Sequence, residues 1–342
     1  MEVYSENGYC NMPAILEQNT PFIFILGGRG TGKTYGLLKY IYENEVPFFY
    51  MRRTQKEIDA LKNQTFNPFN SLKQEYPSCN IITSKAGADT IGFYALDENG
   101  NKITPPLGVA GALSTFANIR GFDASGVQLL WFEEFIPEKH KPWIKYEADG
   151  FFNAVETINR NRELNGQPPL KVVLTANSNE LNNPIFVYTR LVLKAEQMKR
   201  KHQNFIQDNE RGYTLVTLDD SPISKQKQNT ALYKFVGDND FTKMALENSF
   251  AYDDMSNIVS RSLQDYECLY SVGELGIYKQ KNGARYYVCE HVRGEPIKFG
   301  TSTTELLKFS RYAWRLWLIY IDGLIDFETY YCKSLFEQYF NK

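Results

Sequence analysis

The sequence predicts an α/β protein built on a mostly parallel sheet, with a small α+β domain after it. Three observations carry the prediction. Across the first two-thirds, short and almost wholly apolar runs alternate with helical stretches, as strands buried on both faces between helices do. One such run leads directly into a glycine-rich octapeptide and then a helix. After Ser221-Pro222 the pattern turns polar and helical, and from about Leu263 it reads as a separate unit containing a hairpin.

In chain order, the buried-type strands are residues 22–26 (Phe-Ile-Phe-Ile-Leu), 48–51, 127–132, 172–174 and 213–218. Residues 151–156 and 184–209 read as helices, the second rich in basic residues toward its end. Residues 224–250 form a polar helical stretch. Beyond it, 269–279 and 285–292 pair as a hairpin around Lys281-Asn282-Gly283. Residues 306–316 are helical, 324–331 a strand and 333–340 a closing helix. The resulting organisation is 1–222 as the α/β domain, 223–260 as a helical linker and 261–342 as the α+β domain.

Length and composition agree with this division. The 342 residues make about two domains. Hydrophobic residues at 43% against 23% charged residues supply a core and argue against disorder. A formal net charge of −2 excludes a protein that coats nucleic acid by bulk charge, so any such contact is a local patch. The five cysteines, Cys10, Cys79, Cys268, Cys289 and Cys332, are widely spaced without a CxxC, which fits reduced thiols rather than a disulfide framework or zinc site. The N-terminus is acidic, unlike a signal peptide, and no apolar run approaches the ~18 residues of a membrane span. The expected location is therefore cytosolic.

The octapeptide is Gly27, Gly28, Arg29, Gly30, Thr31, Gly32, Lys33 and Thr34, a full match to GxxxxGK[ST] with a strand before it and a helix after it. Glycines let backbone N–H groups converge on phosphate oxygens, and the helix N-terminus adds its positive dipole end. In this P-loop NTPase reading, Lys33 reaches the β/γ-phosphates of ATP and the Thr34 hydroxyl ligates Mg²⁺. Arg29 has three alternatives: phosphate, a neighbouring loop, or solvent.

The run 127–132 ends in Glu133 and Glu134. Paired acids at that position hold the magnesium shell and orient the attacking water in P-loop ATPases. Glu133 is assigned to Mg²⁺ through water, being longer than the usual Asp, and Glu134 to the catalytic water. The alternative is that both acids open a solvated loop before Ile136-Pro137. The run 172–174 carries a polar tip at Asn177, which either faces the γ-phosphate and its water or caps the following turn.

Arg160 and Arg162 lie between these two strands. An arginine supplied by a neighbouring subunit stabilises transition-state charge in ring ATPases, and Arg160 is favoured over Arg162 for that role. Both also suit surface ion pairs. Arg52 and Arg53, after the second strand, have phosphate, DNA or an adjacent subunit as alternatives.

Taken together, the loop after Phe-Ile-Phe-Ile-Leu, the string Tyr50-Met51-Arg52-Arg53-Thr54-Gln55-Lys56-Glu57, residues 113–121 and the string Trp131-Phe132-Glu133-Glu134-Phe135-Ile136 resemble the DNA-packaging motor ATPases of phi29-like tailed phages, relatives of terminase large subunits and ring translocases. The resemblance covers roughly residues 15–220 and is looser beyond about 260. It implies an ATP-driven homo-oligomeric ring, a pentamer, docked on the portal of an empty capsid in the host cytoplasm and pumping double-stranded DNA, with a packaging RNA as a further partner. It also implies pore-lining cations that grip the DNA backbone; by position these are Arg120 and Lys56 or Lys62, each with an ordinary surface cation as its alternative. It implies that the C-terminal domain is a vestigial ribonuclease-H-like nuclease, since Glu274, Glu290 and Asp322 make no recognisable two-metal signature. The rival expectations are a terminase with an active nuclease and a nucleotide-dependent docking protein without turnover.

Overall fold

The computed structural model describes residues 1–119, 121, 123–138, 141–177, 181–219, 221–239, 242 and 255–340. The chain forms two compact units: Met1–Glu180 with Met198–Ala251, and Leu181–Gln197 with Tyr252–Lys342. This corrects the domain expectation in two places. Residues 181–197 belong with the C-terminal segment, and the expected linker over 223–260 is divided between the units.

In chain order to residue 239 the elements are α1 (Met12–Leu16), β1 (Phe22–Gly27), α2 (Lys33–Glu43), β2 (Phe48–Arg52), α3 (Gln55–Ala60), β3 (Ile82–Lys85), β4 (Ile91–Tyr94), β5 (Gly108–Ala112), β6 (Leu129–Glu133), α4 (Glu147–Asn159), β7 (Lys171–Ala176), α5 (Pro184–Tyr188), α6 (Leu191–Arg200), β8 (Phe205–Asp208), β9 (Tyr213–Leu218), α7 (Pro222–Lys227) and α8 (Ala231–Val236). The unit boundary falls within α6.

In the first unit a nine-stranded sheet runs β3-β4-β5-β2-β6-β7-β1-β9-β8. The strands β5, β2, β6, β7, β1 and β9 are parallel, and antiparallel pairs close both edges. This is the expected mixed α/β architecture with a large, mostly parallel sheet. Successive residues of a strand point to opposite faces. Accordingly Ile23, Ile25, Tyr50, Trp131, Val173 and Val216 join Leu37, Leu38 and Ile41 of α2 in one core layer. On the opposite face Phe132 stacks on Phe151 of α4 with ring centroids 5.4 Å apart. Each such fully buried side chain contributes about 1.5–3 kcal/mol of apolar burial.

Two differences from the sequence pattern have clear causes. The strand β5, Gly-Val-Ala-Gly-Ala, is not apolar enough to announce itself; its small residues are needed because a Cβ on Gly108 would meet the Phe48 ring at 2.3 Å. The helix expected over 184–209 is broken. Arg190 takes a left-handed φ of 58°, which separates α5 from α6, and residues 205–208 form β8 against β9. Of the helical stretch expected over 224–250, α7 and α8 are described; residues 240–241 and 243–250 lie outside the described residues.

The second unit continues with β10 (Tyr266–Val272), β11 (Leu275–Gln280), β12 (Tyr286–Cys289), β13 (Ile297–Phe299), α9 (Thr303–Tyr312), α10 (Trp314–Ile321), β14 (Ile325–Phe327) and α11 (Tyr330–Phe340). Its five-stranded sheet runs β13-β10-β11-β12-β14, with β10, β11 and β12 antiparallel in turn and β13 and β14 added parallel at the edges. The expected strand 269–279 is itself a hairpin, folded at Gly273 with φ 54°, and the turn around Lys281-Asn282-Gly283 joins its second strand to β12. The helix expected over 306–316 is two helices meeting at Ala313, and the strand expected over 324–331 shortens to β14 because Tyr330 already begins α11.

Candidate functional site at the carboxyl edge of the parallel sheet

The strands β2, β6, β7 and β1 are consecutive neighbours and parallel, so their carboxyl ends lie side by side, where open α/β sheets bind ligands. Four polar features therefore converge: Arg52 ending β2, Glu133 ending β6, Asn177 just beyond β7, and the glycine-rich loop leaving β1. All but Arg52 border a cavity of about 390 Å³ lined by Arg29 to Tyr35, Ser71, Glu133, Glu134, Thr175, Ala176 and Asn177.

Left-handed backbone shapes the loop. Gly30 has φ +72° and Gly32 +89°, conformations that side chains rarely adopt. Its carbonyls are turned toward donors. Lys33 Nζ donates to the Gly27 carbonyl at 2.5 Å and to that of Gly28 at 2.9 Å. The Thr31 hydroxyl also donates to the Gly28 carbonyl, at 2.9 Å. The Cys10 N–H reaches the Thr31 carbonyl at 2.8 Å. Burial pushes the Lys33 ammonium down to about 8; Cys10, Glu133 and Glu134 oppose that fall and Lys227 adds to it.

Across the cavity, Glu133 is 7% exposed and accepts three bonds. The Thr34 hydroxyl donates to its Oε1 at 2.5 Å. Its Oε2 accepts from the Tyr50 hydroxyl and from Arg52 Nη1, the latter at 3.0 Å. The other end of the same guanidinium donates to Glu134 at 2.5 Å and to Glu57 at 3.2 Å. Glu134 reaches it from a left-handed turn, φ 52°, directly after β6. Burial opposes the Arg52 charge, but Tyr50, Glu133, Glu134 and Glu57 outweigh it and hold the guanidinium well above its ordinary value. Burial and the Glu133 carboxylate likewise push the Tyr50 hydroxyl well up.

The loop residues Gly27 to Thr34, Glu133, Glu134 and Asn177 are thus brought together. The Asn177 Oδ1 lies 3.4 Å from Lys33 Nζ, and the side chain faces the cavity. Arg29 turns to a loop partner, pairing with Glu138. Other candidates stand apart from the cavity lining. Arg162 donates to the carbonyls of Val127 at 2.7 Å, Pro168 at 3.2 Å and Ser125 at 3.4 Å, so it ties down the entry to β6. Arg160 is exposed at the end of α4, 3.9 Å from Asp123. Lys56 is exposed on α3, and Lys62 pairs with Asp59 at 2.8 Å. Arg120 lies outside the described residues.

By sequence alone Arg52 and Arg53 suit phosphate, DNA or another subunit equally. The structure gives both intramolecular partners: Arg52 the acids above, Arg53 the buried Glu147. Tyr50 and Arg52 were legible only as the polar end of an apolar run; their link to Glu133 needed the strand order. Glu274 accepts from Arg190 and Tyr331, and Arg190 is also 3.2 Å from Glu290. Among the described residues, no group of three or more His, Cys, Asp or Glu side chains is disposed to hold a metal ion, and no helix is long and apolar enough to cross a membrane.

Fold and site together define a mixed α/β protein with a cationic, glycine-walled cavity facing two carboxylates at the carboxyl edge of its sheet. The chain belongs to the podovirus DNA encapsidation protein (Gp16) family, whose model matches residues 5–305. It is 24% identical over 289 residues to the DNA packaging protein of Bacillus phage phi29, covering 82% of this chain and 78% of that one. It is 26% identical over 245 residues to the DNA packaging protein of Bacillus phage B103, covering 70% and 67%. Among solved structures, the phi28 gp11 DNA packaging motor superposes with a TM-score of 0.68 at 19% identity, covering 98% of this chain and 99% of that one. A chain of the bacteriophage phi29 genome packaging motor assembly gives 0.66 at 20% identity, covering 97% and 98%.

Proposed function

We propose that this protein hydrolyses ATP to drive double-stranded viral DNA into a preformed capsid, working as one subunit of an oligomeric motor with viral DNA and capsid components. One observation carries the reading. In a chain of the DNA encapsidation family, a GxxxxGK[ST] loop and two carboxylates share one cavity, with the Thr34 hydroxyl in contact with Glu133.

The loop 27–34 cradles the triphosphate through its N–H groups, and Lys33 exchanges its carbonyl partners for β- and γ-phosphate oxygens. A hydroxyl and a carboxylate in contact offer hard oxygen donors, which suit Mg²⁺, so Thr34 and Glu133 are the residues that hold it. Bound there, Mg²⁺ supplies charge neutralisation for the phosphoryl group. Glu134, released by Arg52, orients the attacking water, and Asn177 steadies the water or the γ-phosphate. Arg160, exposed and outside its own cavity lining, suits a neighbouring subunit's transition state. Lys56 and Lys62, exposed on and just after α3, suit the DNA backbone. We read the C-terminal unit as a former nuclease without a metal site; the Arg190 guanidinium between Glu274 and Glu290 supports this.

The test is DNA-stimulated ATP turnover by the full chain with Glu134→Gln. The variant is expected to bind ATP like the wild type and to lose at least about a hundredfold in turnover. Full turnover in Glu134→Gln would sink the assignment, and no turnover by the wild type with DNA present would sink the enzyme reading.

A further inference from the structure

We propose that Lys227 is a positioning residue for the nucleotide: its ammonium holds the Arg29 carbonyl outward, so that the adjoining N–H groups of the loop face the triphosphate. The proposal rests on the ATPase reading above and adds to that site a residue 198 positions away in sequence from Arg29.

Lys227 closes α7, and its Nζ donates to the Arg29 carbonyl at 2.5 Å. The contact is close: a Cβ on Gly30, whose φ of +72° already favours glycine, would lie 2.0 Å from Lys227 Nζ. Carbonyl accounting explains why the contact matters. A peptide whose carbonyl is held on one side presents its N–H to the other, and a phosphate loop works only if successive N–H groups point inward. The carbonyl at position 31 is held by the Cys10 N–H, away from the cavity lining, whereas those at 27 and 28 face the Lys33 ammonium within it. The tip, at Arg29 and Gly30, is where Lys227 acts. Its charge is also felt in the site, since it adds to the downward push on Lys33. The stretch that reads as a linker after β9 therefore carries part of the nucleotide site.

Three variants of the full chain test this: Lys227→Met, which keeps the stem without the charge, Lys227→Arg, and Lys33→Ala as reference. Binding of a fluorescent ATP analogue, the KM and kcat of DNA-stimulated hydrolysis, and melting with and without ATP are measured. Lys227→Met is expected to weaken ATP binding and raise KM about tenfold, the worth of one charged hydrogen bond, with a smaller fall in kcat. Its nucleotide-free melting temperature is expected to stay within about 2 °C of wild type while its ATP-induced shift shrinks. Lys227→Arg is expected to recover most of the affinity. Wild-type affinity and KM in Lys227→Met overturn the proposal, as does a loss that tracks a lowered nucleotide-free melting temperature and is not recovered by arginine. If Lys33→Ala also binds ATP normally, the nucleotide reading itself fails; if only Lys227→Met does, that reading stands and the Lys227 assignment alone falls.

Discussion

Arg52 Nη2 lies 2.5 Å from Glu134 Oε2, while Nη1 of the same guanidinium lies 3.0 Å from Glu133. One side chain thus restrains both carboxylates of the cavity. Its two contacts differ in weight. Glu134 is 44% exposed, so that arm contributes little to stability, whereas the Glu133 arm is nearly buried. Arg52→Ala is expected to lower unfolding free energy by about 3 kcal/mol, because the buried Glu133 carboxylate loses its ion-pair partner. Urea unfolding measures this. Arg52→Lys cannot span two acids and is expected to recover stability only in part and turnover hardly at all, which steady-state ATPase rates would reveal.

Lys33 sets a pH dependence. Its folded value is about 8 against an ordinary 10.5. Between those values the unfolded chain binds the proton that the folded chain has released, so nucleotide-free stability rises with pH across that window. Nucleotide affinity moves the opposite way, since phosphate oxygens favour the ammonium. ATP binding is expected to take up a proton above about pH 8 and to weaken as pH rises toward 10.5. Calorimetry in buffers of different ionisation enthalpy checks the uptake, and a flat proton count from pH 7.5 to 9.5 would count against the burial of Lys33.

Arg53 and Glu147 are a structural pair. Their side chains are 4% and 1% exposed and meet at 2.6 and 2.8 Å, with the Ile144 N–H also bonded to Glu147. Arg53→Ala is expected to cost about 3–5 kcal/mol in chemical denaturation. The double variant Arg53→Met/Glu147→Leu is expected to recover most of that loss and to keep ATP binding. A double variant as unstable as Arg53→Ala would show that hydrogen bonds to Ile144 and Pro142, rather than the charge pair, dominate.

Arg160 and Arg162 are separable. Arg162→Ala removes donors from the Val127, Pro168 and Ser125 carbonyls, so its effect is expected on stability, by about 1 kcal/mol. Arg160→Ala is expected to leave stability near wild type and to depress turnover in mixed oligomers more than its share of subunits. A linear fall with the mutant fraction would remove Arg160 from any role in trans.

Local features were legible in the amino-acid sequence. A strand, eight loop residues and a helix are contiguous, so Gly27 to Thr34 stand out as a match to GxxxxGK[ST] without any tertiary knowledge. Glu133 and Glu134 follow their own apolar run in the same way, and the mostly parallel sheet follows from apolar runs spaced by helices. Non-local relationships came from the folded arrangement of the strands. An apolar run shows that a strand is buried but not which strand lies beside it, because parallel neighbours are joined by crossovers of variable length. The order β2-β6-β7-β1 is what delivers Arg52 to Glu133 and Asn177 to Lys33. Packing likewise turned Arg162 inward to backbone carbonyls and brought Lys227 to the loop, because a long cationic side chain goes wherever unsatisfied carbonyls collect, and that depends on the folded backbone rather than on neighbours in sequence.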